Sequence, residues 1–463
     1  VYCTKPNSGF VKSFNRFELG QSMSFEKKKG GNRATPDEDK VWLPVDELQV
    51  GSVCSCDLVD EQGQLLLGSG TKITSELIQG MVDRDIREIS VSAADAAAIG
   101  GSTAAPSKPV RRPVHRAPKK PVEGEHSSNW REGVPLRAAL IDRHSEPIDP
   151  GRSQRLQEHL GEAREQFEEF QLTVANDRMQ TIEAMAELSG AFAMSIVDDH
   201  DQTIGELVRP TESMSLTDRC VRLSVLGMAV ATEMQLDGPS VLEVGTSGLM
   251  HDVGLYKMDP MFSVPVRRAF TDEQMWEYRK HPTISAKALR EVSDVPHSVL
   301  LAIEQVHEQY NGSGFPFGME GKRSHVYARI LNVCDTYLQL TMGASFRQPL
   351  VPHDAMGLIL HQARYGLFDP KVIHAFLRTE SLFPLGSRVE LNTGIEAEVI
   401  RRPKSGYAKP VLQEVGGDRI DMDDESIQIA RPIADPTCNQ MRLSVDEMQS
   451  IRWNPADELV IGA

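Results

Sequence analysis

The dipeptide His251-Asp252, followed by His281, His307 and Asp335, sets out three imidazoles and two carboxylates at intervals of 29, 26 and 28 residues. Each interval is about one helix plus a turn, so successive helices can bring one ligand each to a common point in a bundle core. Imidazole and carboxylate together suit a divalent transition metal, with iron or manganese first and zinc or nickel as further choices. Helix phase supports this convergence. Ala328, Leu331, Leu338 and Met342 make an apolar stripe with Asp335 at its centre. A carboxylate aimed into a core is costly unless it is paired or metal-bound. The blander reading has ordinary hydrogen-bonded core histidines, with Asp335 paired to Arg329 or Lys322. Five such positions in order favour the metal reading.

A second signal is the loop Asn311-Gly312-Ser313-Gly314-Phe315-Pro316-Phe317-Gly318, directly after His307. Its glycines permit close backbone approach to a ligand, and Phe315 or Phe317 can stack on a base. A tight inter-helix loop is the plain alternative.

These residues need helices to hold them, and residues 192–382 read as a run of amphipathic helices with short connections. Thr271 opens one of them, with Gln274 completing a capping box and His281 at its close. Upstream, residues 131–191 read as a helical connector, helical from about Arg152 to Ala191. Within it Leu156, Leu160, Ala163, Phe167, Phe170 and Val174 form a narrow seam, which can form a homodimer through residues 156–174 or pack on the next domain.

The chain is multidomain, an all-α helical core between two small modules. Residues 1–40 read as a disordered tail and 41–93 as a small α+β domain. That domain has two strands in Val53–Leu67 around Asp60-Glu61-Gln62-Gly63, a helix over Ser75–Arg84 and a strand over Ile86–Val91. Residues 94–130 are a linker rich in Pro and Ala, with Lys108, Arg111, Arg112, Arg116, Lys119 and Lys120 as solvated charges. Residues 383–435 read as a small β module, SH3-like in size. Its strands are Arg388–Leu391 and Ile395–Ile400 around Asn392-Thr393-Gly394, then Val411–Val415 and Ile427–Ile429. Residues 436–463 are a tail.

The net charge of −16 disfavours a protein that coats nucleic acid. No apolar run approaches the length of a membrane span, and the first residues lack an apolar signal-peptide core. The six cysteines are scattered. Cys54 and Cys56 read as packing thiols, and reduced thiols suit a cytoplasmic protein.

Leu249-Met250-His251-Asp252-Val253-Gly254 resembles the core of the HD phosphohydrolase superfamily. His307 through Pro316, then Gly318-Met319-Glu320-Gly321 and Ala328-Arg329-Ile330 with Asp335, resemble its HD-GYP family, and His281-Pro282 matches that family's HP element. The resemblance covers about 200–380. It implies an all-α fold holding metal ions at His251, Asp252, His281, His307 and Asp335, with Gly312, Ser313, Gly314, Phe315 and Arg329 toward substrate. The implied activity is hydrolysis of cyclic di-GMP or a related nucleotide, in bacterial signalling.

The sequence departs from the family pattern. Arg219 stands where the family has a histidine ligand, Val306 where it has the first of two histidines, and Leu255 where it has a lysine. The resemblance therefore implies catalytic roles for Asp252 and for Arg219, whose charge replaces that of one metal as a phosphate clamp. It leaves two functions open: a weak metal-dependent phosphodiesterase, or a degenerate module that binds a cyclic dinucleotide or a protein signalling partner without hydrolysis.

Overall fold

The computed structural model describes residues 40–92, apart from 46–47, 54–57, 61–64, 68–71, 76–77, 79–80 and 82–87. It also describes 130–451, apart from 177–180, 211–214, 264–269, 344–347, 423–425 and 437. The N-terminal tail, the basic linker, the Cys54/Cys56 pair, most of the helix expected at Ser75–Arg84 and the end of the C-terminal tail lie outside these residues. The chain divides into two compact units, 1–120 and 121–463.

In the first unit, β1 (Lys40–Pro44), β2 (Leu58–Asp60), β3 (Leu65–Leu67) and β4 (Glu88–Ser92) form an antiparallel sheet in the order β1-β4-β2-β3. Trp42 and Ser90 are backbone partners in the β1 and β4 register. Ile89 and Val91 are buried, as the two-residue period of a strand requires.

The second unit is helical with one sheet. The expected helix over Arg152–Ala191 is two helices, α1 (Pro150–Ala175) and α2 (Glu183–Asp198). Asp149 caps α1, accepting from the Gly151 amide at 2.9 Å, and Pro150 occupies its first turn. Every residue of the 156–174 seam is buried within the chain, against α3 (His200–Leu207), α4 (Leu216–Glu233) and a 3-10 turn at Val253–Lys257. The seam thus packs on its own unit.

Next come α5 (Gly238–Met250), α6 (Asp272–Tyr278), α7 (His281–Arg290), α8 (His297–Gln305), α9 (Val326–Thr341), α10 (Pro352–Ala363) and α11 (Pro370–Glu380). The capping box of Thr271 and Gln274 opens α6. His281 does not close that helix; it is the first residue of α7, because Pro282 is tolerated only in a helix's first turn.

The sheet that follows has strand order β8-β7-β6-β5-β9, all antiparallel: β5 (Arg388–Leu391), β6 (Glu396–Arg401), β7 (Val411–Glu414), β8 (Arg419–Asp421) and β9 (Ile429–Ile433). The turn between β5 and β6 carries Gly394 at φ +84°. Strand β8 has too little apolar content to be seen in sequence. The expected tail contains α12 (Val445–Ser450), capped by Ser444 and Glu447 and packed on α10.

Candidate metal centre

The close crossing of α4 and α5 sets the geometry. A Cβ on Gly248 would lie 2.9 Å from backbone atoms of Ser224, and one on Gly245 would meet the Met228 sulfur at 2.5 Å. Only glycine lets α5 press this tightly on α4. His251 and Asp252, just past the end of α5, therefore lie beside Arg219 and Cys220 in the first turns of α4. Gly254 repeats the device. A Cβ there would clash with the His281 carbonyl and the Ser285 amide, both at 2.6 Å. Ser285 Oγ donates to the His251 carbonyl and accepts from the Gly254 amide, each at 2.8 Å.

His251, Asp252 and His281 are fully buried; Asp335 and His307 nearly so. His281 Nε2 lies 3.1 Å from Asp252 Oδ1 and 3.0 Å from His307 Nε2. His251 Nε2 lies 3.1 Å from Asp252 Oδ2. The Nδ1 atoms of His251 and His281 face the carbonyls of Gly248 and Tyr278, each at 2.8 Å. A carbonyl only accepts, so each Nδ1 carries a hydrogen and each Nε2 turns into the cluster, the arrangement that orients metal-ligating histidines.

Among the described residues, two triads bring their ligand atoms within 4.8 Å of one another: Asp252, His281 and His307, and Cys220, His251 and Asp252. Among the described residues, Asp252 Oδ1 and Asp335 Oδ1 are buried without a formed hydrogen bond. A mixed nitrogen and oxygen set with unsatisfied carboxylate oxygens fits one divalent transition metal.

Asp335 stands outside both triads. Its Oδ2 is 4.0 Å from His307 Nδ1 and accepts from Gln339 Nε2 at 2.5 Å. Its Oδ1 faces Arg219 Nε at 3.4 Å. Arg219 also donates from Nη2 to Asp252 Oδ2, with His251 Nε2 at 3.4 Å. One guanidinium therefore bridges the two carboxylates. Burial opposes ionisation of Asp252, but His251 and Arg219 outweigh it and hold the carboxyl well below its usual range. Burial likewise disfavours charge on His251, and Asp252 reverses this, raising it well above an ordinary imidazole. Neither Arg329 nor Lys322 is the partner of Asp335; Arg329 instead pairs with Asp369 at the start of α11.

The loop after His307 is packed rather than open. A Cβ on Gly314 would lie 2.2 Å from the Gln309 amide, and Gly312 has φ +80°. Ser313 donates to Asn311 Oδ1 from its amide at 3.0 Å and its hydroxyl at 2.7 Å. Phe315 stacks on His307 at 4.8 Å, so its ring covers a candidate ligand; Phe317 is the exposed aromatic. Two contributors escaped the sequence reading. Glu308 organises the loop, accepting from the Phe317 amide at 2.6 Å and the Met319 amide at 2.9 Å. Cys220 had only its place beside Arg219 to mark it.

A family model described as HD domain matches residues 193–372. A cyclic di-GMP phosphodiesterase of Pseudomonas aeruginosa is 30% identical over 214 residues, 44% of this chain and 50% of that one. A cyclic di-GMP phosphodiesterase response regulator of Xanthomonas campestris is 25% identical over 248 residues, 52% of this chain and 62% of that one. Among solved structures, an HDG"Y"P protein from Bdellovibrio bacteriovorus matches at 16% identity and TM-score 0.39, covering 73% of this chain and 98% of that one. The chain spans about half to three-fifths of the length of these curated relatives.

Proposed function

We propose that this chain, whose residues 193–372 match an HD domain model, is a divergent HD-GYP protein and a metal-dependent phosphodiesterase of low activity acting on cyclic di-GMP or a related nucleotide. The observation that carries this is the Asp252, His281 and His307 triad with Arg219 set between Asp252 and Asp335. In this reading the triad and His251 hold one divalent transition metal, iron or manganese first. Such a metal supplies Lewis acidity, acidifying water and offsetting charge on a phosphoryl group.

The protein's own groups do the rest. Hydrogen bonds from Nδ1 to the Gly248 and Tyr278 carbonyls fix the rings of His251 and His281. Phe315 shields one face of His307 from water. Arg219 places a permanent positive charge where a second cation would balance two carboxylates, but a guanidinium does not deprotonate and generates no nucleophile. Losing one preorganised charge-stabilising group typically costs about 10²–10³ in rate, so turnover is slow.

The engagement of Asp252 by Arg219 also favours a second reading, a module that binds a cyclic dinucleotide or protein signalling partner without hydrolysing it. The small N-terminal α+β and C-terminal SH3-like modules act in either reading as accessory domains. Among the described residues no helix is long and apolar enough to cross a membrane. The test is elemental analysis of protein purified without chelators, followed by turnover of cyclic di-GMP with added manganese or ferrous iron. About one metal per chain with slow hydrolysis is expected; metal with none selects the binding module. Protein that stays metal-free and gains no thermal stability from these ions overturns both readings of the centre.

A further inference from the structure

Away from the metal centre, the end of β6 docks on the helices through buried charges. Arg401 grips Asp199 with both terminal nitrogens, at 2.7 and 3.0 Å. Arg402 binds Asp201 through its amide at 3.0 Å and Nε at 2.6 Å, and reaches Glu233 at 2.8 Å. Arg137 takes the other Glu233 oxygen at 2.6 Å. Beside these pairs lies a cavity of about 520 Å³, within the size range of small-molecule sites.

Its lining has a net positive balance, and its charges are not equivalent. The buried carboxylates of Asp199, Asp201 and Glu233 are already engaged by arginines. Arg378 and Lys404 also line the cavity, are exposed, and have no ion pair among the described residues. The Arg378 carbonyl accepts from Arg402 at 3.0 Å, which ties this edge to the buried frame. Among the described lining residues, a ligand entering here meets two uncommitted cations, Arg378 and Lys404, against one exposed carboxylate, Asp142, and no uncommitted buried carboxylate.

His200 supplies the second observation. It lines the cavity and is only 4% exposed, yet its Nε2 has no hydrogen-bond partner among the described residues. Its Nδ1 lies 3.1 Å from Asp201 Oδ1, so Nδ1 carries the hydrogen and Nε2 is left as an acceptor. Burial, then Arg402, lowers its proton affinity and keeps the ring neutral. A buried acceptor with no donor is unfavourable, and a ligand hydroxyl would satisfy it.

We propose that this cavity binds a small phosphorylated polyol, a sugar phosphate or a nucleotide, with the phosphate on Arg378 and Lys404 and a hydroxyl donating to His200 Nε2. Phosphate needs cations in excess of free carboxylates, and Arg378 and Lys404 outnumber Asp142; a sugar carries the hydroxyl that the histidine lacks. Tyr407, also in the lining, adds an aromatic edge.

The experiment is calorimetric titration of the full chain with inorganic phosphate, ribose 5-phosphate and guanosine 5′-monophosphate. Three proteins are compared: unaltered, Asp252→Ala, and the double variant Arg378→Ala with Lys404→Ala. Both positions of the double variant are exposed, so its fold is expected to persist and its circular dichroism to match. The expected result is binding of ribose 5-phosphate or the mononucleotide, weakened about tenfold or more in the double variant and unchanged in Asp252→Ala. Tighter binding of the mononucleotide marks a nucleotide site, and tighter binding of ribose 5-phosphate a sugar-phosphate site. No binding at millimolar concentration, equal affinity for inorganic phosphate, or loss of binding in Asp252→Ala alone overturns the proposal. The metal content of the double variant reads the HD centre separately, so failure here leaves that reading untouched.

Discussion

Arg219 is the residue on which the chemistry of this protein turns. Two buried carboxylates facing one volume repel each other unless a cation lies between them, and here the cation is part of the chain. Arg219→His removes it, and Val306→His is designed to restore the second imidazole beside His307. The double change is expected to raise metal stoichiometry in elemental analysis; an unaltered value in folded protein would mean that these positions do not face the metal. The aspartates separate by partner. Asp252→Ala is expected to abolish metal binding, and Asp335→Ala to reduce it less, because Asp335 reaches the cluster mainly through Arg219. Asp354 follows Pro352 by two positions, where a carboxylate is ordinarily solvated. It is instead buried in α10, accepting from Arg442 at 2.7 Å and the Leu443 amide at 2.8 Å. Asp354→Ala should therefore leave metal content unchanged and cost about 1–3 kcal/mol of stability in chemical denaturation, the penalty for stranding a buried donor.

Among the elements, α11 carries the clearest titrating group. Glu380, at its last residue, is buried, and desolvation pushes its carboxyl up to about 8 from the usual 4.5. Between those two values the folded state keeps a proton that the unfolded chain has released, so this group's effect on stability worsens as pH rises through that window. Glu380→Gln is expected to raise Tm relative to the unaltered protein, by a margin that grows from about pH 4.5 to 8 and then levels off. A margin that is flat across that range in thermal melts would show that Glu380 ionises in the fold as it does in the unfolded chain. The α4 and α5 pair shows the opposite use of a side chain. Its glycines act through missing atoms, and the register of His251 against Arg219 depends on them.

At the scale of the second unit, the sheet and the helices are joined by Arg401, which is 1% exposed. Removing Arg401 leaves Asp199 with Arg152 alone, at 3.0 Å, so the cost falls below about 3–5 kcal/mol, the figure typical of a buried charge left with no partner. Arg401→Met is expected to lower the stability of helices and sheet together, since residues 121–463 are one compact unit. Far-ultraviolet circular dichroism should follow the helices, and a fluorescent label attached to the sheet should shift with the same midpoint. Two separated transitions would mean that the sheet unfolds independently.

Periodicity and spacing were enough to read the helical core, the stripe around Asp335 and the strands β5 to β7, because these depend on residue types at fixed intervals along one element. His281 and His307 meet the Asp252 carboxylate as that spacing implied. What the sequence could not carry was which groups face each other between elements. Asp335 pairs with Arg219, 116 positions away in the chain, rather than with nearby Arg329. The seam at 156–174 looked the same whether it was destined for a second copy or for α3 and α4. Phe315 had the composition of a base platform, and tertiary packing laid it on His307 instead. Local sequence determines which face of a helix is apolar and which residue types it presents; the angle and closeness of helix crossings, set here by missing side chains at Gly248 and Gly254, decide what those residues touch.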